Sequence, residues 1–184
     1  MSDQRTVQFY SRSKATHDPQ EMEGVYNWRK ILSNFWDSPV VYEELIYPSV
    51  ENAFAAAKYK FAEGKDNPPD LRHLSGADLK RAHSRKGMKS YGFVLDVSAW
   101  DEARIKIMWK LLLERLKSDE TFRNILTGLQ GYRIMHFERS GRRSFWGGVY
   151  KNGAIEGHNM LGHMMMELSD IAVASKALCS LNGV

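Results

Sequence analysis

The stretch "YPSVENAFAAAKYKF", residues 47–61, opens like an amphipathic helix, with Pro48 and Ser49 placed as a start signal. Its core-facing stripe nevertheless carries Glu51 and Lys58, seven residues apart. Seven steps of about 100° make roughly two turns, so both charges fall on one face, with Phe54, Ala55, Phe61 and Ala62 on or beside it. Taken alone, each charge has a plain structural account. An acid in the first turn is favoured by the unpaired N–H groups there. A lysine can lay its stem on apolar surface and keep its ammonium in water.

Downstream, Pro68 and Pro69 in "KDNPPD" forbid continuation, so this helix should stop near Gly64. Upstream, "VVYEELIY" reads as a strand after a loop around Ser33–Ser38, and "VQFYS" (7–11) as a short strand. The polar residues 12–24, with Pro19 and Gly24, read as a loop or insertion. A short helix is expected over Ala77–Lys86, ending at Gly87. A longer one begins at Ser98, with Asp101 three residues on as in a capping box, and runs to about Lys117. "SDETFRNILTG" should form a helix closed by Gly128, "GYRIMHFE" a strand, and "RSGRRSFWGG" a loop. The last helix starts at Asn159–Leu161 and runs through "HMMMELSDIAVASKAL". The expectation is a single α+β domain over 1–184, helix-rich with a small β-sheet.

With 43% hydrophobic residues, 11% aromatic and five Trp, the chain can build a substantial core. It has no apolar run near the ~20 residues needed to span a bilayer, and its polar start, "MSDQRTVQFYS", lacks the apolar middle of a secretory signal. The single Cys179 provides neither an intrachain disulfide nor a cysteine zinc site. The six His lack H-E-x-x-H or comparable spacing, so no metal is expected. These features read as an intracellular protein, cytoplasmic or nuclear, with no membrane partner. The formal charge of +4 and pI of about 9.1 suit a phosphate-bearing ligand without requiring one.

Two glycine-rich segments add chemistry. "SFWGG" (144–148) sets an aromatic pair beside two glycines, and "GHNMLG" (157–162) surrounds Asn159 with two more. Such glycines let backbone approach a flat ring closely. The N–H groups opening the last helix are candidates to receive a phosphate.

Taken in order, "FYS" (9–11), "LSNF" (32–35), "YPSVENAFAAAKY" (47–59), "SAW" (98–100), "FWGG" (145–148) and "GHNMLGHMMMEL" (157–168) resemble the NADAR family, named for a link to NAD and ADP-ribose. The resemblance spans about residues 7–170, and the stretch 12–30 is longer than in compact members. The family motifs fall on Asn34, Glu51, Lys58, Glu138, Trp146, Gly147, Asn159 and Gly162. Many members carry Asp three residues before the Trp; this chain has Arg143 there.

The resemblance implies N-glycoside hydrolysis at a ribose attached to an amino group of a nitrogen heterocycle, without a cofactor. Two substrate classes go with it: guanine bearing ADP-ribose on its exocyclic amine, and the phosphoribosylamino-pyrimidines of early riboflavin synthesis. A ribose on an exocyclic amine opens to an imine-like species readily. A neutral Lys58 could attack its C1 to form a Schiff base, with Glu51 or Glu138 moving protons. Burial favours that neutral amine and an ionised Glu opposes it. Direct attack by a water activated by Glu51, with Lys58 holding a sugar hydroxyl or phosphate, is the other route. Trp146 is expected to stack on the base, Asn34 and Asn159 to bond ribose or phosphate, and Phe35 to take part in substrate binding. Gly147 and Gly157 would admit close backbone approach. Arg12, Arg142 and Arg143 are candidates for pyrophosphate or nucleic-acid phosphate. Arg143 in place of the usual Asp favours ADP-ribosylated guanine, in DNA, RNA or a nucleotide, with ADP-ribose as product. A catalytically silent ADP-ribose or NAD reader is the rival from another class.

Overall fold

A computed structural model describes residues 5–13, 25–64 and 67–181, the side chains of 179–181 excepted. Residues 14–24, most of the expected insertion at 12–30, lie outside that set. In chain order the elements begin with β1 (Thr6–Phe9), α1 (Trp28–Ile31), β2 (Val40–Tyr42), β3 (Leu45–Tyr47) and α2 (Val50–Tyr59). Next come β4 (Ala62–Glu63), α3 (Gly76–Ala82), α4 (Arg85–Ser90), β5 (Val94–Leu95) and α5 (Val97–Ser118). The chain continues with α6 (Glu120–Gly128), β6 (Arg133–His136), β7 (Val149–Lys151), β8 (Ala154–Glu156) and α7 (Met160–Leu181). The class is α+β. Backbone contacts divide the chain into two units, Asn34–Ser118 and Met1–Ser33 with Asp119–Val184.

In the Asn34–Ser118 unit, Ser49 caps α2: its hydroxyl oxygen accepts the Asn52 N–H at 3.2 Å. The apolar face of α2 delivers Ala55 and Tyr59 to a core shared with Leu71, Leu79, Ala82, Met88 and Phe93. Asn52 turns its amide onto the carbonyls of Leu71 and Leu74, at 2.7 and 2.9 Å, and so ties the proline-containing loop to the helix. Tyr59 packs edge-on against Phe93 and donates its hydroxyl hydrogen to Ala82 O at 2.8 Å.

Four local readings of the sequence change here. The helix expected to run to near Gly64 ends at Tyr59, and Ala62–Glu63 is the short strand β4. "VVYEELIY" is two strands, β2 and β3, paired antiparallel with Val40 opposite Tyr47; Glu43 and Glu44 turn between them at φ 47° and 66°. The helix expected over 77–86 is two, α3 and α4, and Gly87 lies inside α4 rather than ending it. A Cβ on Gly87 would meet Arg81 O at 1.8 Å, so the glycine is there to let α4 close onto the end of α3. The long helix α5 is capped by Asp96, whose carboxylate accepts the Ala99 N–H at 3.0 Å, rather than by Ser98.

In the other unit, β1 and β6 run parallel, Thr6 opposite Arg133 and Phe9 opposite His136. Parallel neighbours need a long crossover, here the whole chain from residue 10 to 132. Helices α6 and α7 pack on each other, and α7 lies on β6. Asp119 caps α6 by accepting the Phe122 N–H at 2.9 Å. The chain leaves α6 through Leu129 and turns at Gly131, φ 81°, so Gly128 is the last helical residue rather than the stop. The segment after Gly148, unassigned in the sequence, is the hairpin β7–β8, turned by Asn152 and Gly153 at φ 49° and 78°.

Candidate functional site

Helix α2 places Glu51 and Lys58 on one face, as the spacing requires. Both are half-buried, with 14% of the Glu51 side chain exposed. The Lys58 amine donates to the main-chain carbonyl of His83 at 2.9 Å. It lies 5.9 Å from the centre of the Trp100 ring, which Phe54 and Phe61 flank at 4.9 and 5.6 Å. Burial first, then the Arg85 guanidinium, holds this amine below the ordinary lysine value; Glu51 pulls the other way, while Arg104 lowers it further and Asp101 opposes. Desolvation therefore outweighs the neighbouring carboxylates, which is the balance a reacting amine needs. His83, in the turn between α3 and α4, brings its ring Nε2 to 3.3 Å from Glu51 Oε1.

Asn34 reaches this cluster through its backbone, its carbonyl accepting the Glu51 N–H at 2.9 Å. Its side chain points elsewhere: Nδ2 lies 3.3 Å from Met108 Sδ, and Oδ1 is buried without a hydrogen-bond partner among the described residues. Phe35 packs against the Tyr59–Met88 core, and the Lys80 amine lies 4.7 Å from its ring centre.

The other sequence-derived residues lie in the second unit. Glu138, directly after β6 and Phe137, is half-buried and accepts a hydrogen bond from the Ser144 hydroxyl. The same hydroxyl oxygen accepts the Gly147 N–H at 2.9 Å, so Ser144 joins the carboxylate to the Trp-Gly loop. Phe145 meets Trp146 edge-on at 5.0 Å, and Trp146 is half-buried. Gly147 has to be glycine, because a Cβ would stand 2.3 Å from His136 O.

Asn159 holds an unusual backbone conformation, φ 47°, and directs its carboxamide to β6. Its Nδ2 donates to Ile134 O at 2.9 Å and its Oδ1 accepts the His136 N–H at 3.0 Å. The side chain thus acts as a short piece of β-strand. Gly162 follows from it, since a Cβ there would lie 2.3 Å from Asn159 Nδ2; Gly157 (φ 125°) answers to the Trp-Gly loop instead, where a Cβ would lie 2.4 Å from Gly147 O. The N–H groups of His158, Asn159, Met160 and Leu161 donate at 2.9–3.1 Å to the carbonyls of Ser144, Gly147, Phe145 and Trp146. The start of α7 is therefore occupied by its own chain, and the expectation that it receives a phosphate fails. A cavity of about 450 Å³ borders Gly157 and Asn159, with Arg133 and His163 on its wall, but Glu138 and Trp146 do not line it.

Arg142 pairs with Glu156 at 3.3 Å; Arg12 and Arg143 are exposed. Sequence reasoning missed His83 and Arg85 altogether, and quoted Ser144, within "SFWGG", and Trp100 without giving either a role.

A helix-rich α+β chain with an acid–amine pair on one helix and a locked Trp-Gly loop defines a recognisable class. The family model described as the NADAR domain matches residues 9–171, and the chain belongs to that family. Family membership is consistent with N-glycosidase-type chemistry. The NMR structure of the E. coli protein YbiA is similar to this chain with a TM-score of 0.64 at 20% identity, covering 96% of this chain and 89% of that one; at that identity the likeness is one of fold. No curated protein matches the sequence. Among the described residues, no helix is long and apolar enough to cross a membrane.

Proposed function

We propose that this protein is an N-glycoside hydrolase that removes ADP-ribose from the exocyclic amine of guanine, with Lys58 as the attacking amine. The observation carrying the proposal is that Lys58, on one helix face with Glu51, is held below the ordinary lysine value mainly by burial. A structural lysine gains nothing from losing its charge; a nucleophile does.

The steps balance as follows. The ribose ring opens as its ring oxygen takes the proton of the exocyclic N–H, leaving C1 doubly bonded to the guanine nitrogen. The neutral Lys58 amine adds to C1, and the Glu51 carboxylate carries the amine's two protons in turn to the guanine nitrogen, which leaves as the free amine. Water then adds to the Lys58–C1 imine, and its protons pass through the Glu51 carboxylate to Nζ. The C1–Nζ bond breaks, and the released aldehyde closes to ADP-ribose. One water is consumed, and Lys58 and Glu51 end as they began. The preference for a substrate with more phosphates than a ribose monophosphate rests on the family resemblance, in which Arg143 takes the place of an Asp.

Lys58→Ala should fold, with a melting curve close to wild type, and lose roughly a hundredfold or more of its turnover. Because the neutral amine exists above the Lys58 pKa, and that pKa lies below the ordinary 10.5, activity should rise with pH and level off before that value. Undiminished turnover from folded Lys58→Ala would sink the covalent route and favour water activated by Glu51. Release from phosphoribosylamino-pyrimidines alone would move the substrate to that class. Tight ADP-ribose binding without turnover would make the protein a reader.

A further inference from the structure

His83 touches the acid–amine pair twice. Its main-chain carbonyl accepts the Lys58 hydrogen bond at 2.9 Å, and its ring Nε2 stands 3.3 Å from Glu51 Oε1. Its side chain is 15% exposed, as shielded as that of Glu51. The Glu51 contact is at ion-pair distance without hydrogen-bond alignment, and neither buried ring nitrogen has a hydrogen-bond partner among the described residues. A small rotation of ring or carboxylate would complete the bond. The other charged groups that act on the Lys58 amine are Arg85 from α4 and Asp101 and Arg104 from α5. Asp101 is answered on its own helix by Arg104, at 3.3 Å. That leaves the Glu51 carboxylate as the charge best placed to pull Lys58 into an ammonium–carboxylate pair.

We infer that His83 is a positioning residue that gives the Glu51 carboxylate an N–H donor, holding it off Lys58 and keeping the amine ready to attack. The two contacts of His83 are chemically separable. Any substitution retains the carbonyl that binds Lys58, whereas the Glu51 contact depends on the ring alone. This inference rests on the reading of Lys58 as the reacting amine, but its test needs no substrate.

The test is trace acetylation of the full chain with acetic anhydride across a pH series, with labelling at Lys58 quantified by peptide mass spectrometry. Labelling reads the neutral fraction of the amine. His83→Gln keeps an N–H donor; His83→Leu keeps bulk without one. The leucine variant should move the Lys58 curve to higher pH and cut labelling at mildly alkaline pH by about three- to tenfold, the effect of half to one pKa unit. The glutamine variant should stay within about twofold of wild type. In a Glu51→Gln background the leucine substitution should have no effect, since the carboxylate it unleashes is gone. Should the leucine variant not fold, His83→Ala carries the same expectation. A leucine curve that coincides with wild type, a glutamine curve displaced as far as leucine, or a displacement that survives Glu51→Gln would each overturn the inference. The expected labelling together with no ADP-ribose release would sink the functional reading and leave the role of His83 standing.

Discussion

Asn159 commits both ends of its carboxamide to one strand, and the need for glycine at 162 follows from that single act. Ile134 O and the His136 N–H would each lose a buried partner in Asn159→Ala, at about 1–3 kcal/mol apiece. At about 2–4 °C per kcal/mol for a chain of this size, the melting temperature should fall by roughly 4–24 °C. Lys58 chemistry should be affected only as far as folding is. A melting curve unchanged by Asn159→Ala would contradict the lock. The sequence made the Gly-x-Asn-x-Leu-Gly motif visible but not its task, because the bonded residues lie 25 and 23 positions away. The same distance in sequence hid His83, whose carbonyl meets Lys58 across 25 residues. Periodicity reports neighbours on one element. It placed Glu51 and Lys58 together, and could not say what the fold would bring against them.

Helix ends show a finer limit. Ser98 and Asp101 have capping-box spacing, yet α5 begins one residue earlier and Asp96 supplies the cap. Asp96→Ala should therefore cost about 1 kcal/mol of stability and Ser98→Ala close to nothing; denaturant unfolding of the two variants decides it, and the reverse order would contradict the assignment. Both hairpins turn through two residues at positive φ, but only one was legible. Asn152-Gly153 is the strongest short hairpin signal there is and was available to be read. Glu43-Glu44 carries no such signal, since glutamate seldom adopts positive φ, and the strand pattern on either side read as continuous. Gly87 was misread for a related reason. A glycine after a helical stretch marks a stop by default, and only the approach of Arg81 O shows it to be a close contact.

Across the chain as a whole, the family pattern foretold the α+β class, because several weak motifs in fixed order are jointly specific. Composition alone did not: a formal charge of +4 fits many kinds of protein. That charge does bear on the proposed partner. If the modified guanine is read within a single strand, two or three phosphate contacts should lower kcat/KM about tenfold between 50 and 200 mM salt, from a slope near −0.7 per contact. A free ADP-ribosylated guanine nucleotide should show a much shallower dependence, and equal slopes would place the substrate outside nucleic acid. The proposal as a whole turns on one amine. Its most direct test is to incubate the protein with an oligonucleotide carrying ADP-ribose on a guanine, with and without borohydride, and to read both products by mass spectrometry. The account predicts free ADP-ribose without borohydride and, with it, a reduced ribosyl adduct mapping to Lys58. The absence of both release and adduct from folded protein would contradict it.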